Sequence, residues 1–251
     1  MKKSGNINEY DLLYFNRRIF RTEIFWNRLG EKPDLTDKVI LDVGCGHGAL
    51  CFSMALGGAK KVVGVDIDAN RIAFAKEYLR LHYPQFSKIV EFHRIDLKDY
   101  SKEAQFDYMV SEDTFEHIID LPEMIKEMRL RLKPGGLIYT GFGPLYNDFY
   151  GDHKRTKCIV PWGHVVCADE KIIKRLNKKR ETPIQSIYDL GLNKLSLADY
   201  RKIFQDSGLK IVSFKVNVSR NLILRLFSLI SFILPFLKEY FAHNIYAILK
   251  K

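Results

Sequence analysis

The sequence predicts an α/β fold, a single doubly wound domain whose mostly parallel sheet carries helices on both faces. Three observations predict it. Short β-branched runs alternate with segments of helical spacing along the chain. The first such run leads into a glycine loop, "VILDVGCGHGAL" at 39–50. The 251 residues, 47% apolar and 28% charged, suffice for one sizeable core.

Residues 7–29 have helical spacing, with Leu12, Leu13, Phe15, Ile19, Phe20, Ile24 and Phe25 as apolar members. "VILDV" (39–43) is a buried strand and 48–57 the helix after it. "KVVGVD" (61–66) is a second strand, and 69–82 has helical spacing. "IVEFHRID" (89–96) and "FDYMVS" (106–111) are the third and fourth strands. A helix spans 121–132, with Pro122 near its start, where a missing N–H costs little. "KPGG" is a turn, and "LIYTGF" (137–142) is the fifth strand. A helix over 196–208 opens with Ser196 as cap and stops at Gly208. Residues 209–218 and 244–251 are two more strands. The expected organisation is one domain over 1–251. An N-terminal helical segment (1–37) precedes a cofactor core (38–142) and a substrate insertion (143–195). The remainder, 196–251, holds a helix and strands interrupted by an apolar insertion at 219–243.

The net charge of +10 and pI of about 9.3 permit an anionic partner without choosing one. Cys45, Cys51, Cys158 and Cys167 form no C-x-x-C pair, which argues against a zinc site or a disulfide framework. The first residues lack the apolar core of a signal peptide, so a cytoplasmic location is expected.

Gly44, Gly46 and Ala49 match G-x-G-x-x-G/A, a loop that suits either a dinucleotide or S-adenosylmethionine. Asp42, two residues before the loop, separates the two. A carboxylate repels a pyrophosphate at a helix start but attracts an ammonium and a sulfonium. Asp66 ends the second strand, where a carboxylate can accept both ribose hydroxyls. Asp96 ends the third, within reach of an adenine amino group.

"LDVGCGHG", "VVGVDID", "FDYMVSEDTFEHI" and "LKPGGLIY" lie in the order and spacing of the class I S-adenosylmethionine-dependent methyltransferases, which this chain resembles over about residues 38–142. The resemblance implies a Rossmann-like, seven-stranded sheet whose last strand, "NIYAILKK", is antiparallel. It implies that Asp42, Gly44, Cys45, Gly46, Asp66, Ile67, Asp96, Leu97 and Ser111 line the cofactor site.

Methyl transfer to a hydroxyl needs an in-line arrangement and a destination for the proton. In "EDTFEHI" (112–118), Asp113, Glu116 and His117 are spaced i, i+3, i+4, one face of a helix. Two carboxylates and an imidazole there suit a divalent cation, Mg²⁺ or Mn²⁺. The spacing resembles that of metal-assisted O-methyltransferases of quinone biosynthesis, except that Asp113 is shorter than the Glu found there. His117 as a metal-free base, or a merely pocket-shaping role, are the alternatives. In the insertion, Tyr146, Tyr150, His153 and Trp162 offer rings, and Asp152, His153, Lys154 and Arg155 offer polar contacts to an acceptor. His153 and His164 are alternative bases or a further metal ligand.

"YGDH…PWGH" resembles a group of bacterial methyltransferases found with polysaccharide-building enzymes. The basic run 171–180 suits an anionic substrate or a solvated helix face. The stretch 220–241 suits a pocket cover or a homodimer interface, with contact at a membrane surface as the other reading. The expected activity is O-methylation of a sugar, a nucleotide-linked one such as a GDP-heptose of a capsule or surface polysaccharide. The rivals are a quinone precursor or lipid acceptor and a cofactor-binding partner without catalysis. No nucleic acid partner is expected, since no amino-methylating motif follows the fourth strand.

Overall fold

The computed structural model describes residues 7–101, 103–219 and 221–251. Its strands are β1 (Val39–Val43), β2 (Lys61–Asp66), β3 (Val90–Arg94), β4 (Phe106–Glu112), β5 (Leu132–Phe142), β6 (Lys210–Val218) and β7 (Ala242–Lys250). They form one sheet of order β3-β2-β1-β4-β5-β7-β6. The first five pair in parallel, and β7 runs antiparallel to both neighbours. Strand order reverses beside β1, so its carboxyl end, which carries the glycine loop, faces the crevice where such sheets hold ligands.

The helices are α1 (Glu9–Ile19), α2 (Thr22–Leu29), α3 (Ala49–Leu56), α4 (Ala69–His82), α5 (Leu121–Arg131), α6 (Gly163–Val166), α7 (Asp169–Asn177) and α8 (Leu197–Asp206), followed by α9 (Leu222–Ser228), α10 (Ile230–Ile233) and α11 (Lys238–Phe241). Local chemistry sets their ends. The Asp68 side chain accepts the first N–H groups of α4, and Ser196 with Asp199 closes a reciprocal box on α8. Side chains alternate across the strands: Ile40 and Val62 face one core with Phe15, Trp26 and Phe52, while Leu41 and Val63 face the other with Phe115, Ile125 and Phe204.

Two elements differ from the sequence-based expectation. The helical stretch 7–29 is two helices, because Arg21 N–H closes a tight turn on the Arg18 carbonyl and the Thr22 hydroxyl donates to the Ile19 carbonyl. The break lets α1 lie against α3 while α2 packs on β5 and β7. "KPGG" loops out within β5 rather than preceding it. Phe106 pairs with Leu132 and Tyr108 with Leu137, so four residues bulge opposite Asp107.

Residues 143–195 build a small separate core of Tyr146, Ile172, Leu176, Ile184, Ile187 and Leu192. Between β6 and β7 the described residues form the short helices α9 to α11. Among the described residues no helix is long and apolar enough to cross a membrane.

Candidate active site

The glycine loop leaves β1 with Gly44 in the left-handed region, φ +75°, where a Cβ would collide with Thr114. Two connected hollows open around it. A small one of about 60 Å³ is lined by Asp42, Gly44, Cys45, Gly46, Glu112 and Arg18. A cleft of about 360 Å³ is lined by Asp66, Ile67, Asp96, Leu97, Thr114 and His117. Asp113 borders both.

The hollow gathers three carboxylates, Asp42, Glu112 and Asp113, with the guanidinium groups of Arg18 and Arg71. Asp42 is buried and takes a thiol hydrogen bond from Cys51 at 3.2 Å. Burial, with Glu112 and Asp66 adding repulsion, pushes its carboxyl up to about 7. Burial also raises Glu112 to about 7, with Asp113 pushing the same way and Arg18 opposing. Arg18, from α1, reaches in to bridge Glu112 at 2.8 Å and Asp113 at 2.5 Å. Burial alone would make Arg18 easier to deprotonate, but the two carboxylates outweigh it and hold the proton more tightly. Buried acids poised near neutrality around a hollow are a site for a cation.

The cleft is drier. Both Asp66 oxygens accept backbone N–H groups, from Gly46 at 2.9 Å and Asp68 at 2.8 Å, which aims the carboxylate along the cleft. Asp96 caps the turn over Leu97–Asp99. Ile67 is 73% exposed on the cleft wall, an apolar surface free to lie on a flat ring. Ser111, expected at the cofactor, instead sits in the sheet, where its hydroxyl donates to the Val43 carbonyl at 2.9 Å.

The chain after β4 is not an α-helix. Asp113 has φ +51°, and Phe115–His117 is a single 3₁₀ turn. The expected shared face of Asp113, Glu116 and His117 therefore does not form. Asp113 turns to Arg18, and His153 from the insertion comes beside the other two. Glu116, His117 and His153 each offer a donor atom, all within 4.8 Å of one another. His117 Nδ1 donates to the Gly191 carbonyl at 2.8 Å, leaving Nε2 as a lone pair. Burial and the nearby Arg155 cation lower its pKa to about 4, so the ring is neutral near pH 7. His153 Nε2 donates to the Pro144 carbonyl at 3.1 Å, and burial lowers its pKa too. Glu116 is buried; one oxygen accepts the Gly143 N–H at 3.2 Å, and Oε2 has no partner. Burial, then repulsion by Asp113, raises its carboxyl well above the usual range. Two neutral imidazoles and an orphaned carboxylate oxygen fit a divalent cation as a donor set.

The other insertion residues divide. Arg155 is held by the Leu190 and Gly191 carbonyls beside His117. Tyr150 is exposed. Tyr146 and His164 are buried in the insertion core and clasp each other: the His164 ring donates to the Tyr146 carbonyl at 2.6 Å and the Tyr146 hydroxyl to the His164 carbonyl at 3.1 Å. That hydrogen bonding takes His164 away from the Glu116 cluster. Trp162 donates to the Tyr240 carbonyl at 3.1 Å and packs edge-on against Phe149 and Phe241, which ties the insertion to α11. The basic run forms α7, whose Ile172 and Leu176 are buried and whose lysines face solvent.

Sequence reasoning passed over Arg18 and Glu112. Glu112 lies inside a quoted motif, so its place at the end of β4 was a usable signal. Arg18 carries none, because its role depends on how α1 crosses the loop.

A family profile described as a methyltransferase domain matches residues 35–181. The chain belongs to this methyltransferase family. The ubiquinone biosynthesis O-methyltransferase of Pseudomonas syringae pv. tomato is 35% identical to it over 115 residues, 45% of this chain and 47% of that protein. The protein of the same name from Pseudomonas paraeruginosa is 33% identical over the same shares. The matched stretch thus spans about half the length of these curated relatives. Among solved structures, an S-adenosylmethionine dependent methyltransferase from Mesorhizobium loti aligns with a TM-score of 0.55 at 16% identity, over 88% of this chain and 94% of that one. The magnesium protoporphyrin IX methyltransferase from Synechocystis PCC 6803 with bound SAH gives 0.53 at 17%, over 98% and 89%. These likenesses show the fold, that of the class I S-adenosylmethionine-dependent methyltransferases.

Proposed function

We propose that this methyltransferase acts on oxygen, and that its acceptor is a hydroxylated ring of the quinone-precursor type. The observation that carries the reading is the Glu116–His117–His153 cluster, whose His117 lines the cofactor cleft. The quinone-pathway names of the relatives favour this acceptor over the sugar expected from the insertion.

S-adenosylmethionine supplies a methyl group already activated on a sulfonium. Asp42 and Glu112 would hold its cationic methionine end, Asp66 the ribose hydroxyls, and Ile67 one face of the adenine. The Gly44 backbone, clear of any Cβ, allows the close approach. The acceptor oxygen must then be held in line, which is worth several kcal/mol, typically ~7 or more for a well-placed pair. Its proton leaves to the lone pair of His117 Nε2, with the Gly191 carbonyl fixing the tautomer. A divalent cation on Glu116, His117 and His153 would acidify the same hydroxyl instead.

The test is to incubate the full chain with S-adenosylmethionine and either catechols such as 3,4-dihydroxybenzoate or GDP-, UDP- and dTDP-sugars. Products are read by mass spectrometry, with and without chelator. A methylated catechol oxygen supports the reading, and loss of that product on chelation assigns the cluster to a cation. Products from sugar nucleotides alone would return the acceptor to the sugar class.

A further inference from the structure

Asp113 also lines a third hollow, a recess of about 650 Å³. Arg21, Arg28, Arg225 and His243 all line it. Asp113 is the single carboxylate among the described lining residues, and Arg18 already bridges it. Arg21 and Arg225 are exposed, and neither has a salt-bridge partner among the described residues. Such a surplus of guanidinium groups around a concave wall is a place for a negative charge.

Arg28 is oriented rather than loose. Its Nη1 donates to the Tyr246 hydroxyl at 2.8 Å, and its guanidinium carbon lies 5.4 Å from that ring's centre. Tyr246 lies along β5 because its partner across the strands is Gly141, where any Cβ would strike the ring. A guanidinium has five N–H donors in a fixed fork, so one bond to Tyr246 leaves donors for a planar or tetrahedral oxyanion. A second observation concerns the atoms next to that anion. Asn244 is 93% buried on the recess wall, being 7% exposed, and its side-chain oxygen has no hydrogen-bond partner. An amide oxygen accepts, so what completes it is a donor on the same ligand, such as a hydroxyl near the anion, and not the oxyanion itself.

We propose that this recess is the anchor for an oxyanion carried by the acceptor, a phosphate or a carboxylate, held by Arg28 with Arg21 and Arg225. The position follows from Asp113, which lines the recess and both cofactor hollows. A molecule gripped by its anion in the recess presents its next few atoms at Asp113, where the methyl group would arrive. The inference rests on the methyltransferase reading for that last step alone; the oxyanion site stands without it. It makes the arginine recess, and not the basic face of α7, the determinant of acceptor charge.

The test is calorimetric titration of inorganic pyrophosphate and, separately, of benzoate into the full chain at constant ionic strength. The variants are Arg28→Gln, Arg28→Lys and Arg225→Gln, with Lys202→Gln on the exposed face of α8 as control. SAH affinity is measured on each variant to show that the fold is intact. We expect saturable binding of at least one probe, with its identity separating a phosphoryl from a carboxylate ligand. Arg28→Gln should weaken it about tenfold, the effect of losing one charge-assisted contact. Arg28→Lys should restore part of it, and Lys202→Gln should change nothing. The proposal is overturned by the absence of saturable binding of both probes, or by binding that Arg28→Gln and Arg225→Gln leave intact. Methylation of neutral acceptors with no oxyanion binding would remove the recess and leave the methyltransferase reading standing. Oxyanion binding with no methylated product from any acceptor would do the reverse.

Discussion

The two sides of the crevice are built in opposite ways. On the cofactor side, carboxylates stand at the ends of adjacent parallel strands: Asp42 on β1, Asp66 on β2 and Glu112 on β4. Each is placed by its own strand and by a loop a few residues long. On the acceptor side, His117 follows β4, His153 and Arg155 come from the insertion, and Arg28 comes from α2. The charges differ as well. The cofactor side is acidic and suits a cation, whereas the acceptor side is two neutral imidazoles, an orphaned acid and a set of arginines. One half of the crevice is set by neighbouring strand ends, and the other is assembled by contacts between distant stretches of chain.

The largest expected effect lies on the acceptor side. His117→Ala should lower kcat by about 10²–10⁴-fold, the usual range for a positioned base, while SAH affinity stays within about threefold. Stopped-flow or steady-state kinetics with a calorimetric SAH titration checks both. A matching loss of SAH affinity would erase the distinction between the two sides. The counterpart on the cofactor side is Asp66→Asn. It should weaken SAH binding by about a hundredfold, through the loss of charge-assisted bonds to two hydroxyls. Its kcat at saturating cofactor should fall far less.

A third substitution separates site from scaffold within the insertion. His164→Ala breaks the clasp with the Tyr146 carbonyl and leaves a cavity in a small core. The expected cost is about 1–3 kcal/mol of stability, read by denaturant unfolding, with kcat per folded molecule unchanged. A kcat loss with full stability would make His164 part of the chemistry after all.

The contrast also explains what was legible. Strands β1 to β4 and the helices between them follow from short-range periodicity, and Gly44, Asp66 and Asp96 sit within motifs whose geometry is local. The split between α1 and α2 was hidden because Phe20 and Ile24 continue the apolar spacing straight through it, although Phe20 is 81% exposed. The meeting of His153 with Glu116 and His117 spans more than thirty positions of chain, so spacing carries no trace of it. Ser111 shows the opposite failure. It occupies a familiar position in a motif, but its hydroxyl is already used inside the sheet.

The smallest expected effect is the pH dependence that the cofactor side contributes. Asp42 and Glu112 are raised from the ordinary carboxylate range to about 7. Their folded pKa values lie above the unfolded ones, so the folded state binds the extra protons. Their contribution to stability is therefore fully present below about pH 4 and is lost as pH rises through about 7. Without cofactor, the wild type should gain in Tm on going from pH 8 to pH 6. A cation has the opposite preference, since it needs the carboxylates ionised. Affinity for S-adenosylmethionine should rise about threefold to tenfold from pH 6 to pH 8, following the ionised fraction of a group near 7. Asp42→Asn should roughly halve both trends, leaving the share of Glu112, while the recess around Arg28 keeps its pyrophosphate or benzoate affinity. If the variant keeps the wild-type slope in Tm and in affinity, the acid box is not what receives the cation. The division of the crivice into an acidic and a basic half would then need redrawing around Asp113 and Arg18.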